Sequence, residues 1–313
     1  MTTWGRDRLL PDLSVRLPIP DLRPWLEGNV LPGVWSFSAA EPGPHVALVS
    51  LMHGNEIAGA LLLARWLRQE LRPVRGRLTF IFANTAAFAR FDPADPTISR
   101  FIDEDLNRVW DDRLLASARR SAELDRARAL RPLMDEVDVL LDLHSMLWPS
   151  DPLIIAGAAP AARALGVRLG TPALVVADHG HQTGLRLIDS PVFAARPALL
   201  VEGGPHWEQA TLETLESCAT ALLRDTGVIA AEGPPRTPGR LAEVTRTVVA
   251  GTHNFAFVQD FRGGTVIPRR NTLLALDGEQ EIRTPHDDCL LIMPSPRALR
   301  GHTAVRLARY TGN

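Results

Sequence analysis

Apolar and polar positions change their period several times along the chain, and each change marks an element. Val46 to Leu51 (VALVSL) is a short apolar run with β-branched members, the texture of a buried strand. Past His53-Gly-Asn-Glu56, the residues Ile57, Leu61, Leu62 and Trp66 recur at helical spacing until the pattern stops near Pro73. Leu78 to Phe82 reads as a second buried strand, and a long polar loop rich in Asp and Pro runs from Asp92 to Arg108. Residues 111 to 136, rich in Ala, Arg, Leu and Glu, predict one amphipathic helix. Val137 to Leu143 (VDVLLDL) returns to strand texture, with His144 at its end. PLIIAG, ALVVAD and Pro197 to Gly204 (PALLVEGG) add three strands, and residues 211 to 227 predict a closing helix.

Strands alternating with helices predict an α/β domain on a mostly parallel or mixed sheet, covering residues 1–231. EGPPRTPGR, residues 232–240, is punctuated by Pro and Gly and reads as a linker. From 241 to 313 the texture is one of short strand-like runs separated by turns, with Asp277-Gly278 as a hairpin signal. This stretch predicts a small C-terminal all-β module. The chain shows no internal repeat and no low-complexity tract.

Composition adds exclusions. With 45% hydrophobic and 22% charged residues, the 313-residue chain is ordinary for a soluble globular protein and long enough to bury a core. A formal net charge of −2 and no long block of like charge give no field for nucleic acid or an anionic membrane. No run approaches the roughly 20 apolar residues of a membrane span, and MTTWGRDRLLPDL lacks the apolar run of a signal peptide. Cys218 and Cys289 form no CxxC pair and predict two buried free thiols. Together these favour the cytoplasm and leave a homo-oligomer open.

The chemistry gathers at strand ends, where open α/β sheets place their sites. His53 and Glu56 put an imidazole and a carboxylate three residues apart where a strand gives way to a helix. His144 supplies a third donor at another strand end, and catalytic zinc commonly takes three protein ligands. Asp142, two residues away, is either its outer partner or a structural carboxylate. Glu202 closes the apolar strand LLVEGG. An unpaired buried carboxylate is costly, so one placed there fits a general base that takes a proton from the attacking water.

Taken in order, HGNE, SRFIDEDLNRVW, DLHS and LLVEGG resemble the succinylglutamate desuccinylase and aspartoacylase family over nearly the whole chain. The resemblance implies a zinc carboxypeptidase-like α/β/α domain with a mixed sheet. It implies one zinc ion per chain on His53, Glu56 and His144, with Glu202 as general base, and hydrolysis of an amide or ester bond in a small carboxylate-bearing N-acyl amino acid. It assigns Arg100 to the scissile carbonyl and Asn107 and Arg108 to a substrate carboxylate. A further arginine before the base is expected to reach a second carboxylate, with Arg186 as the candidate and Arg196 as the alternative. Similar sequences carry a tyrosine near the reacting centre, where this chain has His286; its single tyrosine is Tyr310. Asp178-His-Gly-His181 reads as a polar turn, and His206-Trp207 as pocket wall or helix cap. Two other readings stand beside the acylase: a zinc carboxypeptidase acting on peptide C-termini, and an idle binding protein of the same fold.

Overall fold

The computed structural model describes residues 11–157, 159–178, 180, 183–230, 233 and 236–311. The chain divides into two compact units. One comprises Ser14–Ser145 and Pro152–Arg240; the other, among described residues, comprises 11–13, Met146–Asp151 and 241–311. His179 and His181 of the polar turn lie outside the described residues, as do positions 231, 232, 234 and 235 around the expected linker.

The larger unit carries a mixed sheet. Its strands are β1 (Val34–Ser38), β2 (His45–Ser50), β3 (Arg77–Phe82), β4 (Val139–Met146), β5 (Leu153–Ala156), β6 (Leu174–Ala177) and β7 (Ala198–Pro205). They lie in the order β1-β3-β2-β4-β7-β5-β6. β2 runs parallel to β3 and β4, and β5 parallel to β6, while β1 against β3 and β5 against β7 are antiparallel. Every residue of β2 and β4 is buried, which is why Val46–Val49 and Val139–Leu141 are consecutive apolar residues instead of alternating ones. β1 (VWSFS) escaped the sequence reading because Ser36 and Ser38 interrupt its apolar positions.

Among the described residues six α-helices accompany the strands: α1 (Ile57–Arg68), α2 (Thr85–Phe88), α3 (Asp112–Leu115), α4 (Ala122–Met134), α5 (Pro160–Leu169) and α6 (Gln209–Asp225). The single helix expected over 111–136 is two. Asp111 caps the amides of Arg113 and Leu114, and the Ser121 hydroxyl caps Leu124. Asp and Ser favour such caps over helix interiors, so Ser121 starts a new helix after the first has stopped at Leu115. Trp66 and Trp110 are buried packing residues.

Residues 240–310 contain seven strands and, among described residues, no helix. β8 (Arg240–Val249), β14 (Thr303–Tyr310), β13 (Cys289–Ile292) and β10 (Val266–Ile267) pair in that order; β12 (Gln280–Arg283), β11 (Leu273–Asp277) and β9 (Phe255–Phe257) form a second group. β11 and β12 turn through Gly278 at φ +64°, the left-handed conformation a tight hairpin requires. Phe255, Phe261, Leu274, Leu291, Val305 and Leu307 build its core. Cys218 and Cys289 are both buried free thiols, and no described helix is long and apolar enough to cross a membrane.

One buried histidine away from the site predicts a pH response. His45 starts β2 with Nδ1 3.0 Å from the Glu136 carbonyl and Nε2 2.7 Å from Thr79 Oγ1. Burial, with Arg77 nearby, holds its pKa below the ordinary value. The unfolded chain therefore takes up a proton that the folded chain refuses, so this contribution is complete above about pH 6.5 and is lost as the pH falls below it. Urea midpoints measured from pH 8 to 5 are expected to fall less steeply for His45→Asn than for the parent. Equal slopes would remove His45 as the cause.

Candidate metal centre

The chain leaves β2 through Leu51, held at φ +54°, and turns at once into His53-Gly-Asn-Glu56. The Glu56 amide donates to the His53 carbonyl at 3.1 Å, a turn that folds the two side chains together just as α1 begins. Gly54 is required there. A Cβ on it would come within 2.5 Å of backbone atoms of Ala87, Phe88 and Ser99, and its amide donates to the Arg100 carbonyl at 3.1 Å. Asn55 is fixed through its carbonyl, which accepts from the Trp207 indole at 2.8 Å.

His144 enters from β4. The strand runs three residues past Leu143, so His144 lies inside it with Ser145 and Met146 beyond. Side chains two apart on a strand share a face. That puts Asp142 beside His144, with Asp142 Oδ2 2.9 Å from His144 Nε2. Glu202 likewise lies within β7, opposite Leu153 of β5.

His53, Glu56 and His144 meet, with one ligand atom from each within 4.8 Å of the others and all three side chains buried. Glu56 Oε1 is 2.7 Å from His53 Nδ1, and Glu56 Oε2 is 3.0 Å from His144 Nδ1. The outer nitrogens face carboxylates, His53 Nε2 at 2.9 Å from Asp105 Oδ1 and His144 Nε2 at 2.9 Å from Asp142. The His53–Asp105 contact is a hydrogen bond of the kind by which carboxylates orient metal-binding imidazoles, and Asp142 sets its charge beside His144. With the ring protons placed on the outer nitrogens, each unprotonated Nδ1 lies within 3.0 Å of a Glu56 oxygen. Two nitrogen lone pairs and a carboxylate then converge with no hydrogen between them, a donor set that fits a zinc ion.

Without an ion, the same closeness favours a charged pair, whose imidazole proton an ion would displace. Burial alone would raise the Glu56 carboxyl, but His53 and His144 hold it well below the usual range. Burial opposes charge on His144, and Asp142 and Glu56 raise it well above an ordinary imidazole. Glu202 goes the other way. Burial pushes it up to about 8; His144 pulls against this and Glu56 adds to it. Its Oε2 is buried with no hydrogen-bond partner among the described residues. Two carboxylates at one site thus have their proton affinities driven apart, the usual mark of a split between ligand and acid–base roles.

The residues matched by the family model for the succinylglutamate desuccinylase/aspartoacylase catalytic domain are 42–221, more than half the chain and every residue of this cluster. This chain belongs to that family. Among curated relatives, a probable aspartoacylase from Parasynechococcus marenigrum is 31% identical over 193 residues, 58% of this chain and 59% of that protein. An N-acyl-aromatic-L-amino acid amidohydrolase from Xenopus laevis is 34% identical over 113 residues, 33% of this chain and 35% of that one. The chain thus matches less than two thirds of these relatives' own lengths. A succinylglutamate desuccinylase structure from Vibrio parahaemolyticus superposes with a TM-score of 0.71 at 20% identity, covering 90% of this chain and 87% of that one, which establishes the shared mixed α/β fold.

The other family residues named from sequence have these surroundings. Arg100 donates to Glu56 Oε1 at 3.2 Å and to Asp105 Oδ2 at 3.4 Å, and its Nη2 lies 2.9 Å from His53 Nε2. Burial opposes its charge, but Asp105 and Glu56 hold its pKa above the usual range. Asn107 accepts from the Leu187 amide at 2.9 Å, and Arg108 donates to the Asn107 carbonyl at 2.6 Å. Arg186 is buried in a clamp, 2.9 Å from Asp178 and bonded through Nε and Nη2 to both oxygens of Asp189. Arg196 donates to the carbonyls of Val192, Asp135 and Val137. His286 has both ring nitrogens engaged inside its own unit, by Thr245 Oγ1 and the Asp287 carbonyl, each at 2.8 Å.

The sequence offers no role for Ser145, and for His206 only that of pocket wall or helix cap. The Ser145 amide donates to Glu56 Oε2 at 3.0 Å, and its hydroxyl lies 2.6 Å from His206 Nδ1. Burial brings His206 down to about 4 and keeps it neutral. The signal for this pair was DLHS followed by GGPHW, two polar residues just past the site residues of neighbouring strands.

Proposed function

We propose that this protein is a zinc-dependent hydrolase that cleaves the amide bond of a small N-acyl amino acid. The observation that carries the reading is the meeting of His53, Glu56 and His144 beside Glu202, four side chains drawn from three separate segments of sequence. A bound zinc ion supplies Lewis-acid polarisation and lowers the pKa of water. Glu202 takes the proton of the attacking water and returns it to the leaving amine, a transfer suited to a carboxylate whose pKa is raised toward neutrality. Arg100, held against Glu56 and Asp105, presents its guanidinium where negative charge develops on the scissile carbonyl. Arg108 meets the substrate carboxylate, with the Asn107 amide nitrogen beside it while its oxygen stays on Leu187. Arg186, engaged by Asp178 and Asp189, supports the segment next to Leu187 that Asn107 holds, in place of the contact with a second substrate carboxylate expected of it. The likeness to an N-acyl-aromatic-L-amino acid amidohydrolase and to an aspartoacylase supports this substrate class.

The test is metal analysis of the purified protein, followed by a screen of N-acyl amino acids against blocked peptides. Release of free amino acid from the first group, dependent on the metal, is the expected result. Metal-dependent hydrolysis confined to peptide C-termini would sink the reading. Arg108→Ala is expected to raise KM by about 10- to 100-fold, the loss of a charge-assisted pair of about 1.5–3 kcal/mol, with kcat less affected. An unchanged KM would make Arg108 a structural arginine.

A further inference from the structure

The loop bearing Arg100, Asp105, Asn107 and Arg108 is gripped by a carboxylate outside every motif named above. Glu123, in the first turn of α4, is fully buried. Its Oε1 accepts from the Ile102 amide at 2.6 Å and from Asn84 Nδ2 at 2.9 Å. Its Oε2 accepts from the amides of Asp103 and Glu104 at 3.0 and 3.2 Å. Three consecutive loop amides therefore converge on one side chain.

The loop grips α4 in return. Asp103 Oδ2 accepts from the Ala122 amide at 2.7 Å, the first residue of the helix. Glu104 accepts from the Ser121 hydroxyl and from Arg119 at 2.6 Å. An acidic residue in a first helical turn ordinarily serves its own helix terminus. Glu123 instead bonds amides 19 to 21 residues upstream, which makes it a clasp between two segments. The same carboxylate reaches α2, because Asn84 also caps Ala87, and α2 lies against Gly54 of the metal turn.

We propose that Glu123 is the positioning residue that sets the conformation of the 100–108 loop and thereby the grip of Arg100 and Arg108 on the substrate. The inference rests on the reading of those two arginines as substrate-handling groups. A carboxylate has the acceptor capacity for four donors, whereas an amide offers one oxygen and sets N–H groups against the loop amides. Buried donors left unpaired then drive the loop to a new arrangement.

Glu123→Gln is expected to lower kcat/KM for N-acyl amino acids by about 100-fold, the scale of a displacement of about 1 Å, mainly through KM and with zinc content retained. Brief trypsin treatment should cut the folded variant after Arg100 or Arg108, with the parent resistant at both. Leu133→Ala, a core truncation in the same helix, is the stability control and should leave KM and both cleavage sites unchanged. Where Glu123→Gln does not accumulate, Asp103→Ala removes the return bond and is read the same way. Parental KM and trypsin resistance in these variants overturn the proposal. A parent inactive on every N-acyl amino acid sinks the functional reading instead, and the trypsin pattern still decides the clasp.

Discussion

Glu202→Gln should lose about 10²- to 10⁴-fold in kcat while keeping its full zinc content. That range is what a positioned general base contributes. The substitution preserves shape and hydrogen-bonding reach but leaves no group that can accept a proton, and Glu202 is not among the three clustered donors. A second readout moves in the opposite direction. In chelator-treated protein, burial pushes Glu202 up to about 8 against an ordinary 4.5. The folded state therefore holds a proton that the unfolded state releases between those values, and stability from this group falls as the pH rises through that window. The neutral glutamine escapes that cost, so the metal-free variant should unfold at a higher temperature than the metal-free parent at pH 8. The difference should vanish near pH 4. Stability gained where activity is lost is the pattern of a strained functional group. A variant that turns over at the parental rate would show that Glu202 is not the base.

The contrast between what could and could not be read in advance has a physical basis. His53, Glu56, His144 and Glu202 stood out because each is a polar residue where an apolar run stops, and burial of such a group demands a reason. Strand identity was legible in β2, β4 and β7 from the unbroken apolar runs Val46–Val49, Val139–Leu141 and Ala198–Val201. The ends were not, because β4 continues through His144 and Ser145, and a strand's hydrogen bonds do not require apolar side chains. The split of residues 111–136 depends on two caps, each a local choice between helix and hydrogen-bonded turn that periodicity averages away. Long-range polar bonds leave the weakest trace. Glu123 reads as an ordinary acidic residue of a helix start. The clamp on Arg186 is half-visible, since Asp189 lies three residues on, but Asp178 is eight residues back. Guanidinium residues advertise a charge without saying which carboxylate claims it.

His144→Ala should abolish stable metal binding, falling from ~1 ion per chain to a trace after dialysis, and activity with it. The argument starts from what the substitution leaves. Glu56 keeps His53 but loses the donor 3.0 Å from its second oxygen, so two ligands remain of three. Disturbing only an outer partner of a ligand costs about 10- to 100-fold in affinity, and removal of the ligand itself must exceed that. Asp142→Asn supplies the graded case. It keeps His144 in place, weakens the 2.9 Å partner at Nε2, and should fall within that 10- to 100-fold range. Stability separates metal loss from misfolding. A ligand bound only by the folded state stabilises it by about 4 kcal/mol at a thousandfold excess over its dissociation constant. Chelator should therefore lower the melting temperature of the parent sharply, that of Asp142→Asn less, and that of His144→Ala hardly at all. The alanine variant should also melt below the chelator-treated parent, because Asp142, fully buried, has lost its imidazole. If His144→Ala carried the parental metal content and still responded to chelator, the ion would have to sit on other side chains, and the cluster of His53, Glu56 and His144 would have no claim to it.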